Sequence, residues 1–202
     1  MTSAASTFTG LNPLEGCGII SAFSGGVLSA LERKTAMEEA KKKLRVYCET
    51  SFWSYLTGRP SAVQKTAYWQ SLTRIWWSDE AVNCDIYISQ HVLNEAAKGD
   101  PELARQRIEA CKGMNMVDGT TPEVDALAGL LLATLTVPED EVADAYHIAT
   151  AAVHGMDVLL TWNCKHMANR FALPKTISVV SSAGYECPAI VTPEDFLKEE
   201  LE

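Results

Sequence analysis

Apolar residues in this chain alternate between short continuous runs and longer stretches with helical spacing. The short runs predict buried strands over residues 44–49, 84–89, 114–117, 157–161 and 177–180. The longer stretches predict helices over residues 61–77, 91–98, 103–111, 124–135 and 142–154, and a terminal helix that begins near Thr192. Strands that alternate with helices predict an α/β fold in which helices cover both faces of a central parallel sheet.

Two helix starts carry recognisable capping residues. Asp100 followed by Pro101 is typical of an N-cap residue with proline at the first helical position. The run Thr120-Thr-Pro-Glu123 resembles a capping box, in which a hydroxyl and a carboxylate satisfy the first free N–H groups of a helix. Both patterns predict that a helix begins there.

The first 36 residues differ in composition from the rest of the chain. They are rich in Ser, Gly, Ala and Thr, and Glu15 is the one charged residue before Glu32. We interpret residues 1–43 as an N-terminal extension that is partly disordered or helical, and residues 44–202 as the folded domain. Two alternatives stay open, a helix over residues 28–43 and translation that starts at Met37.

The charge balance limits the functions that fit. The 202 residues carry a formal net charge of −9, with a pI near 5.0. Broad, non-specific binding to duplex nucleic acid needs a basic face, so this balance argues against it. It is compatible with a nuclease whose acids bind metal, because bound cations reverse the local charge. No glycine-rich phosphate loop follows a predicted strand, which argues against an enzyme that uses a nucleotide cofactor.

Cysteine usage and hydropathy indicate a cytoplasmic setting. The chain has six cysteines, but no two form a C-x-x-C pair, which argues against a structural zinc site. Cys48 and Cys84 fall in apolar runs, where a thiol behaves as a small hydrophobic group. No apolar run reaches the ~20 residues that span a bilayer. Residues 18–31 are mildly apolar, but no Lys or Arg precedes them as in a signal peptide.

Four polar residues are placed where they could meet in one cleft. Glu49 and Asn163 each follow a predicted strand, Glu95 lies on the helix after another strand, and Asp144 lies near the start of an apolar helix. Ligands of open α/β folds bind at the carboxyl ends of the strands. Three acids there would form an oxygen-rich site for Mg²⁺ or Mn²⁺, with Asn163 offering a neutral oxygen.

Each acid also has a simpler explanation when it is taken alone. Glu49 could have emerged into solvent, and Glu95 could be a solvated helical residue. Asp144 could stabilise the helix dipole, but the helix around it is almost wholly apolar, and a buried acid needs a partner. A second kind of site, with a transition metal held between helices by His91, Glu95, Asp144 and His147, is the weaker alternative because such spacings are common by chance.

Residues next to these acids could contact a substrate. Lys165 could bind a phosphate, whereas we interpret its neighbour His166 as a surface residue. Aromatic residues follow Glu49 among basic ones, a mixture that suits stacking of unpaired bases. They are Phe52, Trp53, Tyr55, Tyr68, Trp69, Trp76 and Trp77. The helical spacing of Tyr68 and Trp76 favours core packing for those two.

Taken in order, these motifs resemble a PIN domain of the VapC toxin type. The likeness lies in Val46-Tyr-Cys-Glu-Thr-Ser51, the helix that carries Glu95, the run Asp144-Ala-Tyr-His-Ile-Ala-Thr-Ala151, and Met156-Asp-Val-Leu-Leu-Thr-Trp-Asn163. It covers about residues 44–165. The last two motifs together are the more specific part.

The resemblance implies a three-layer α/β/α fold and a ribonuclease that depends on Mg²⁺ or Mn²⁺. Glu49, Glu95 and Asp144 would hold the metal directly or through water, and Asn163 would complete the catalytic set. Thr50, Thr161 and Lys165 would contact or orient the substrate and its waters. The family also implies an RNA substrate, a protein antitoxin as partner, and a homodimer.

Two positions depart from the family pattern. The family usually has Asp where this chain has Glu49, and the extra methylene moves the carboxylate outward by roughly an ångström and a half. The fourth family acid corresponds to Asn163, which is neutral, so any second metal site should be weakened most. These departures leave a non-catalytic interaction module with the same fold as the alternative.

Overall fold

The computed structural model describes residues 42–199, and the elements below all lie in the compact unit that begins at Lys43. The interpretations of residues 1–41, including the helix from residue 28 and the start at Met37, lie outside the described residues. The strands are β1 (Leu44–Cys48), β2 (Cys84–Ser89), β3 (Asn115–Val117), β4 (Val158–Leu160) and β5 (Ala189–Val191). Residues 81–83 form a short 3₁₀ turn before β2.

Eight α-helices lie between and after these strands in the described part of the chain. They are α1 (Thr50–Thr57), α2 (Gln64–Asp79), α3 (Gln90–Ala96), α4 (Pro101–Ala110), α5 (Pro122–Ala133), α6 (Val142–Val153), α7 (Leu173–Ser182) and α8 (Pro193–Glu199). Asp100 caps α4 as expected, its carboxylate accepting the N–H of Leu103 at 3.0 Å. In α5 the capping hydroxyl is that of Thr121, one residue later than the capping-box pattern implies.

The strands form one sheet in the order β3-β2-β1-β4-β5, and every neighbouring pair is parallel. The central strand β1 pairs with β2 and β4, Val46 lying opposite Ile86 on one side and Val158 on the other. Helices α1 to α4 and α8 contact one another, and α5, α6 and α7 form a second group. The three-layer α/β/α architecture expected from the sequence is therefore confirmed.

Burial of the central strands explains why they read as continuous apolar runs. Val46, Tyr47 and Cys48 in β1 are fully buried, and so are Leu159 and Leu160 in β4. A parallel sheet covered on both faces gives its central strands no solvent side, so alternation of polar and apolar residues is lost. The chain that leaves these strands therefore carries its first polar groups at the strand ends.

The prediction of a strand at residues 177–180 is wrong, because these residues lie inside helix α7. Their run of β-branched side chains favours a strand locally. In the fold, however, Thr176 and Val180 are buried one turn apart, while Ile177 is 49% exposed, which is helical periodicity. The last strand is instead β5, a run of three residues too short to be recognised. Helix α1 was also not predicted.

The helical assignment of residues 173–182 can be tested with two matched substitutions. Val180→Asp should destabilise the protein strongly, by roughly 3 kcal/mol or more, because it buries an unpaired charge. Ser178→Asp should change stability by less than about 0.5 kcal/mol, since Ser178 is exposed. In a strand, residues 178 and 180 would share a face. Urea denaturation that shows similar losses for both variants would contradict the helix.

Candidate active site

The polar residues meet at the point where the strand order reverses. From β1 the chain builds outward through β2 and β3, and then returns to the other side of β1 for β4 and β5. Open α/β sheets bind ligands outside the carboxyl ends of the strands at such a switch point, here between β1 and β4. Glu49 directly follows β1, and Asn163 lies in the loop that follows β4.

Glu49 is buried and structurally fixed rather than solvated. It is 4% exposed and serves as the N-cap of α1. Its carboxylate accepts the backbone N–H of Ser51 at 2.8 Å and also the Ser51 hydroxyl. The same hydroxyl accepts the N–H of Trp162 at 2.8 Å. Ser51 therefore ties the end of β1 to the end of β4, and Glu49 is held at that junction.

Glu95 is joined to a chain of buried hydrogen bonds. Its Oε2 accepts the Thr50 hydroxyl at 2.5 Å and lies 2.9 Å from Nε2 of His147. The other ring nitrogen of His147 lies 2.9 Å from the Tyr47 hydroxyl, which lies 2.7 Å from the Ser89 hydroxyl. Burial raises the pKa of Tyr47, so the phenol stays protonated and can serve as a fixed hydrogen-bonding group.

His147 lies at the centre of this network. The ring is 1% exposed, and burial by itself would lower its pKa. The hydrogen bond that His147 donates to Glu95, together with the charges of Glu49, Glu95 and Asp144, raises the pKa of His147 instead. The three acids singled out in the sequence therefore all act on one buried imidazole.

The pKa values of Glu95 and Asp144 shift in opposite directions. Burial would raise the pKa of Glu95, but the hydrogen bond and charge of His147, with the Thr50 hydroxyl, lower it to about 2. Burial raises the pKa of Asp144, although a hydrogen bond from His166 and the charge of His147 oppose the rise. The neighbouring charge of Glu49 adds to the rise. Glu95 is thus satisfied by its partners, whereas Asp144 keeps a cost that a cation would relieve.

Asn163 holds Asp144 and His166 in place. Its Nδ2 donates to Oδ2 of Asp144 at 2.7 Å, and its Oδ1 accepts the backbone N–H of His166 at 3.0 Å. The Asn163 N–H is itself fixed by the Thr161 hydroxyl at 2.8 Å. An amide can make this donor and acceptor pair at once, whereas a carboxylate could only accept. At this position, then, Asn acts as a structural link.

The donor atoms that converge most closely are those of Glu141, Asp144 and His166. One ligand atom from each lies within 4.8 Å of the others, the one such set of three among residues 42–199. Glu49 and Glu95 lie outside it, so the structure does not bring Glu49, Glu95 and Asp144 within that distance as a group. The three carboxylates are instead linked by their electrostatic influence on His147. Carboxylates with an imidazole suit a divalent cation.

The three residues expected to contact a substrate differ in exposure. Lys165 is exposed, and Thr50 is partly buried beside Glu95. Thr161 is fully buried, where its hydroxyl orients Asn163. Thr161 can therefore act on a substrate only through Asn163.

Sequence reasoning missed the roles of the two histidines and of Ser51. His166, taken as a surface residue, has a side chain only 10% exposed and lies 3.1 Å from Oδ2 of Asp144. His147 lies one turn after Asp144 on an apolar helix, a signal that a buried partner for the acids was present. Nothing in the sequence pointed to Ser51, because its contacts cross from one strand end to another.

Aromatic residues near Glu49 divide into core and surface groups. Trp76 is fully buried as expected, but Tyr68 is 50% exposed, so core packing is wrong for Tyr68. Trp69 stacks on Trp162 with ring centroids 4.9 Å apart, and the ammonium of Lys65 lies 4.4 Å from the Trp69 centroid. An aromatic and basic surface therefore adjoins the loop after β4.

Comparison of this chain with known proteins found similarity to solved structures alone. No family model matches the sequence, and no curated protein matches it. The chain is similar to VapBC2 from Rickettsia felis, a structure bound to a DNA fragment from its promoter. Sequence identity is 14% and the TM-score is 0.48, over 74% of this chain and 98% of that one. It is also similar to VapC20 from Mycobacterium tuberculosis, described as a toxin that cleaves the sarcin–ricin loop. Identity there is 20% and the TM-score is 0.46, over 62% and 95% of the two chains.

Both structures are named as VapC-type toxins or complexes of such toxins. The motifs of this chain resemble the same type. At these identities and scores, the function of the chain rests on its own residues. Among the described residues, no helix is long and apolar enough to cross a membrane.

The ion pair between Glu95 and His147 predicts a particular pH dependence of stability in EDTA. The lowered pKa of Glu95 gives stabilisation that is present above its ordinary value of 4.5 and is lost as pH falls toward 2. The raised pKa of His147 gives stabilisation that is complete below 6.5 and is lost as pH rises through the folded-state value. The pair should therefore stabilise the fold most between pH 4.5 and 6.5.

This dependence can be measured by urea denaturation of wild type and His147→Gln. The advantage of wild type should shrink by roughly 1 kcal/mol between pH 5.5 and pH 8.5. In a Glu95→Gln background, the same comparison should show a weaker pH dependence because one charge of the pair is gone. An advantage that stays constant or grows with pH would show that His147 is not charged in the folded protein.

Because Asn163 links Asp144 to His166, replacing it with the aspartate that the family has at this position should destabilise the metal-free protein. In Asn163→Asp, two carboxylates would face each other where Nδ2 now donates to Asp144 at 2.7 Å. The variant should lose roughly 1–3 kcal/mol of stability in EDTA and gain more than wild type when Mn²⁺ is added. Thermal unfolding with and without Mn²⁺ measures both effects, and Asn83→Asp, a change at an exposed position before β2, serves as a control. Equal stability of Asn163→Asp and wild type in EDTA would rule out the link.

Proposed function

We propose that this chain is a PIN-domain ribonuclease of the VapC toxin type, which hydrolyses RNA phosphodiesters with Mg²⁺ or Mn²⁺ in the cytoplasm. The observation that carries the proposal is the contact between Glu95 and buried His147 at 2.9 Å at the switch point of the sheet, where the charges of Glu49 and Asp144 act on the same ring. The motifs around these residues are those that resemble the family. An antitoxin protein would bind the chain, and the active form would be a homodimer.

Glu95 and Asp144 would hold the cation, with Glu49 acting directly or through a water molecule. Water-mediated contact suits Glu49, because both of its carboxylate oxygens already accept hydrogen bonds from Ser51. A bound divalent cation supplies a Lewis acid for the phosphate and a lowered pKa for an attacking water. The remaining steps fall to the side chains of the chain itself.

The protein side chains would orient the site and balance its charge. Thr50 and His147 fix the Glu95 carboxylate through Oε2, and Asn163 fixes Asp144 through Oδ2. These contacts limit rotation of the carboxylates, so the donor geometry is set before a ligand binds. Exposed Lys165 lies in the same loop as Asn163, where its ammonium could neutralise charge that develops on phosphate oxygens.

The second candidate is an interaction module that keeps this fold without catalysis. Two observations favour it: the close attachment of Glu49 to Ser51, and the fact that Glu49, Glu95 and Asp144 do not form one tight donor set in the described chain. Such a module would bind a protein partner through the same domain. It would remain folded but leave RNA intact under all metal conditions.

Cleavage of a mixed RNA pool by the purified full chain distinguishes the two candidates. With Mn²⁺ or Mg²⁺ the wild type should cut RNA, and EDTA should stop it. Glu95→Gln and Asp144→Asn should each lower the rate about 100-fold or more, because each removes a carboxylate from the cation. Glu139→Gln, which removes an exposed acid before α6, should cut like wild type.

Circular dichroism of each variant checks that a loss of activity does not come from a loss of folded structure. Metal-dependent cleavage that disappears in the two site variants and survives in Glu139→Gln supports the ribonuclease. A folded wild type that leaves RNA intact with either metal, or cutting that is equal in all variants, overturns it.

A further inference from the structure

A second set of donors includes Asp144 but neither Glu49 nor Glu95, and the family likeness does not account for it. It consists of Glu141, Asp144 and His166, whose ligand atoms lie within 4.8 Å of one another. Nδ1 of His166 is 3.1 Å from Oδ2 of Asp144 and 3.5 Å from Oε1 of Glu141. Asp144 is shared with the site proposed above, whereas the other two residues are not.

We propose that Glu141, Asp144 and His166 form a binding site for a first-row transition-metal ion, one that an imidazole ligand makes selective for Mn²⁺ or Zn²⁺ over Mg²⁺. Donor spacing supports the proposal. Ligands at about 2.1 Å from an octahedral ion lie ~3.0 Å apart along an edge, and tetrahedral ligands at about 2.0 Å lie ~3.3 Å apart. The separation of 3.1 Å lies between these two values, and that of 3.5 Å is slightly longer than the larger one.

The backbone holds the three donors from two directions. Glu141 and Asp144 come from the start of α6, where the N–H of Asp144 donates to the carbonyl oxygen of Glu141 at 3.1 Å. His166 comes from the loop after β4, and Asn163 Oδ1 accepts its backbone N–H at 3.0 Å. Since Asn163 also donates to Asp144, one amide sets the distance between the two halves of the site.

Burial and exposure fit a bound ion with an open side. The side chains of Asp144 and His166 are each 10% exposed, whereas Glu141 is 39% exposed. A metal ion would approach Asp144 and His166 from the solvent side, and the Glu141 carboxylate would bind it on that exposed side. Two carboxylates and one imidazole leave coordination positions for water or a phosphate oxygen.

The chemistry of the donors decides the class of ion. Mg²⁺ prefers oxygen ligands and keeps most of its water shell, so a site that needs an imidazole nitrogen serves it poorly. Imidazole suits Zn²⁺ and its first-row neighbours, and carboxylates suit Mn²⁺. An imidazole binds a metal ion through a ring nitrogen that carries no proton, so Nδ1 of His166 would be unprotonated in the metal-bound form.

This site offers a physical reason for the neutral residue at position 163. A neutral residue there removes a carboxylate from the cleft, and Glu141 together with His166 supplies two other donors whose ligand atoms lie within 4.8 Å of that of Asp144. Four acids, Glu49, Glu95, Glu141 and Asp144, then meet two histidines that carry at most two positive charges. The excess negative charge favours a cation at the cleft even before the ligand geometry is considered.

Isothermal titration calorimetry of the full chain with Mn²⁺, Zn²⁺ and Mg²⁺ tests the selectivity. Mn²⁺ and Zn²⁺ should bind more tightly than Mg²⁺, and Glu141→Gln and His166→Asn should each weaken Mn²⁺ binding about tenfold or more. Glu139→Gln and His154→Asn are matched controls that should bind Mn²⁺ like wild type. Glu141→Gln changes a partly exposed side chain, so it reports on the site even if His166→Asn folds poorly.

Pulsed electron paramagnetic resonance of bound Mn²⁺ identifies the ligand itself. A modulation from a directly coordinated nitrogen should be present in wild type and in His154→Asn, and absent in His166→Asn. Glu95→Gln should keep this signal, although it is expected to stop RNA cleavage, so failure of this site and failure of the ribonuclease are distinguishable. Mn²⁺ binding without nitrogen modulation, unchanged affinity in both site variants, or preference for Mg²⁺ overturns the proposal.

Discussion

Carboxylates buried at the carboxyl edge of a parallel sheet must find compensating charge, and the arrangement of this cleft follows from that constraint. Glu49 and Asp144 are less than one-tenth exposed, and Glu95 is held beside them by Thr50. Leaving such charges unpaired would cost several kcal/mol each. The acids raise the pKa of His147, so its protonated ring would offset part of their charge, and Tyr47 and Ser89 fix the ring through hydrogen bonds. The network links β1, β2, α3 and α6, so the acids and the fold stabilise each other.

The strand order explains why these residues meet although they are far apart in the chain. A sheet that grows outward from β1 in both directions leaves a gap between the crossovers at the ends of β1 and β4. Glu49 enters this gap from β1 and Asn163 from the loop after β4, and Ser51 joins the two ends. Helices α3 and α6 then bring Glu95 and Asp144 to the same place. A cleft built on the ends of rigid strands can hold its donors without large loop motions.

Much of this arrangement was predictable from the sequence, because buried strands and capped helices leave strong local signals. The α/β class, the parallel sheet, and the strand ends that carry Glu49 and Asn163 followed from apolar runs and their spacing. Residues 177–180 misled because β-branched residues favour strands locally, whereas tertiary packing placed Thr176 and Val180 on one helix face. The site was less predictable. The positions of His147 and Ser51 depend on contacts across more than 50 residues of chain, and that of His166 on a contact across 22 residues, which no local pattern records. The VapC-type motifs pointed to the acids but not to the histidines that balance them.

We expect the acids and histidines at the switch point to hold a divalent cation. Anomalous diffraction from a crystal of the full chain soaked with Mn²⁺ is the sharpest test, because it locates the ion without relying on activity. An anomalous peak bonded to Asp144 should appear in the cleft between the ends of β1 and β4. Well-ordered crystals in which Mn²⁺ appears only at surface carboxylates, with Asp144 still bound to Asn163 and His166 alone, would contradict it.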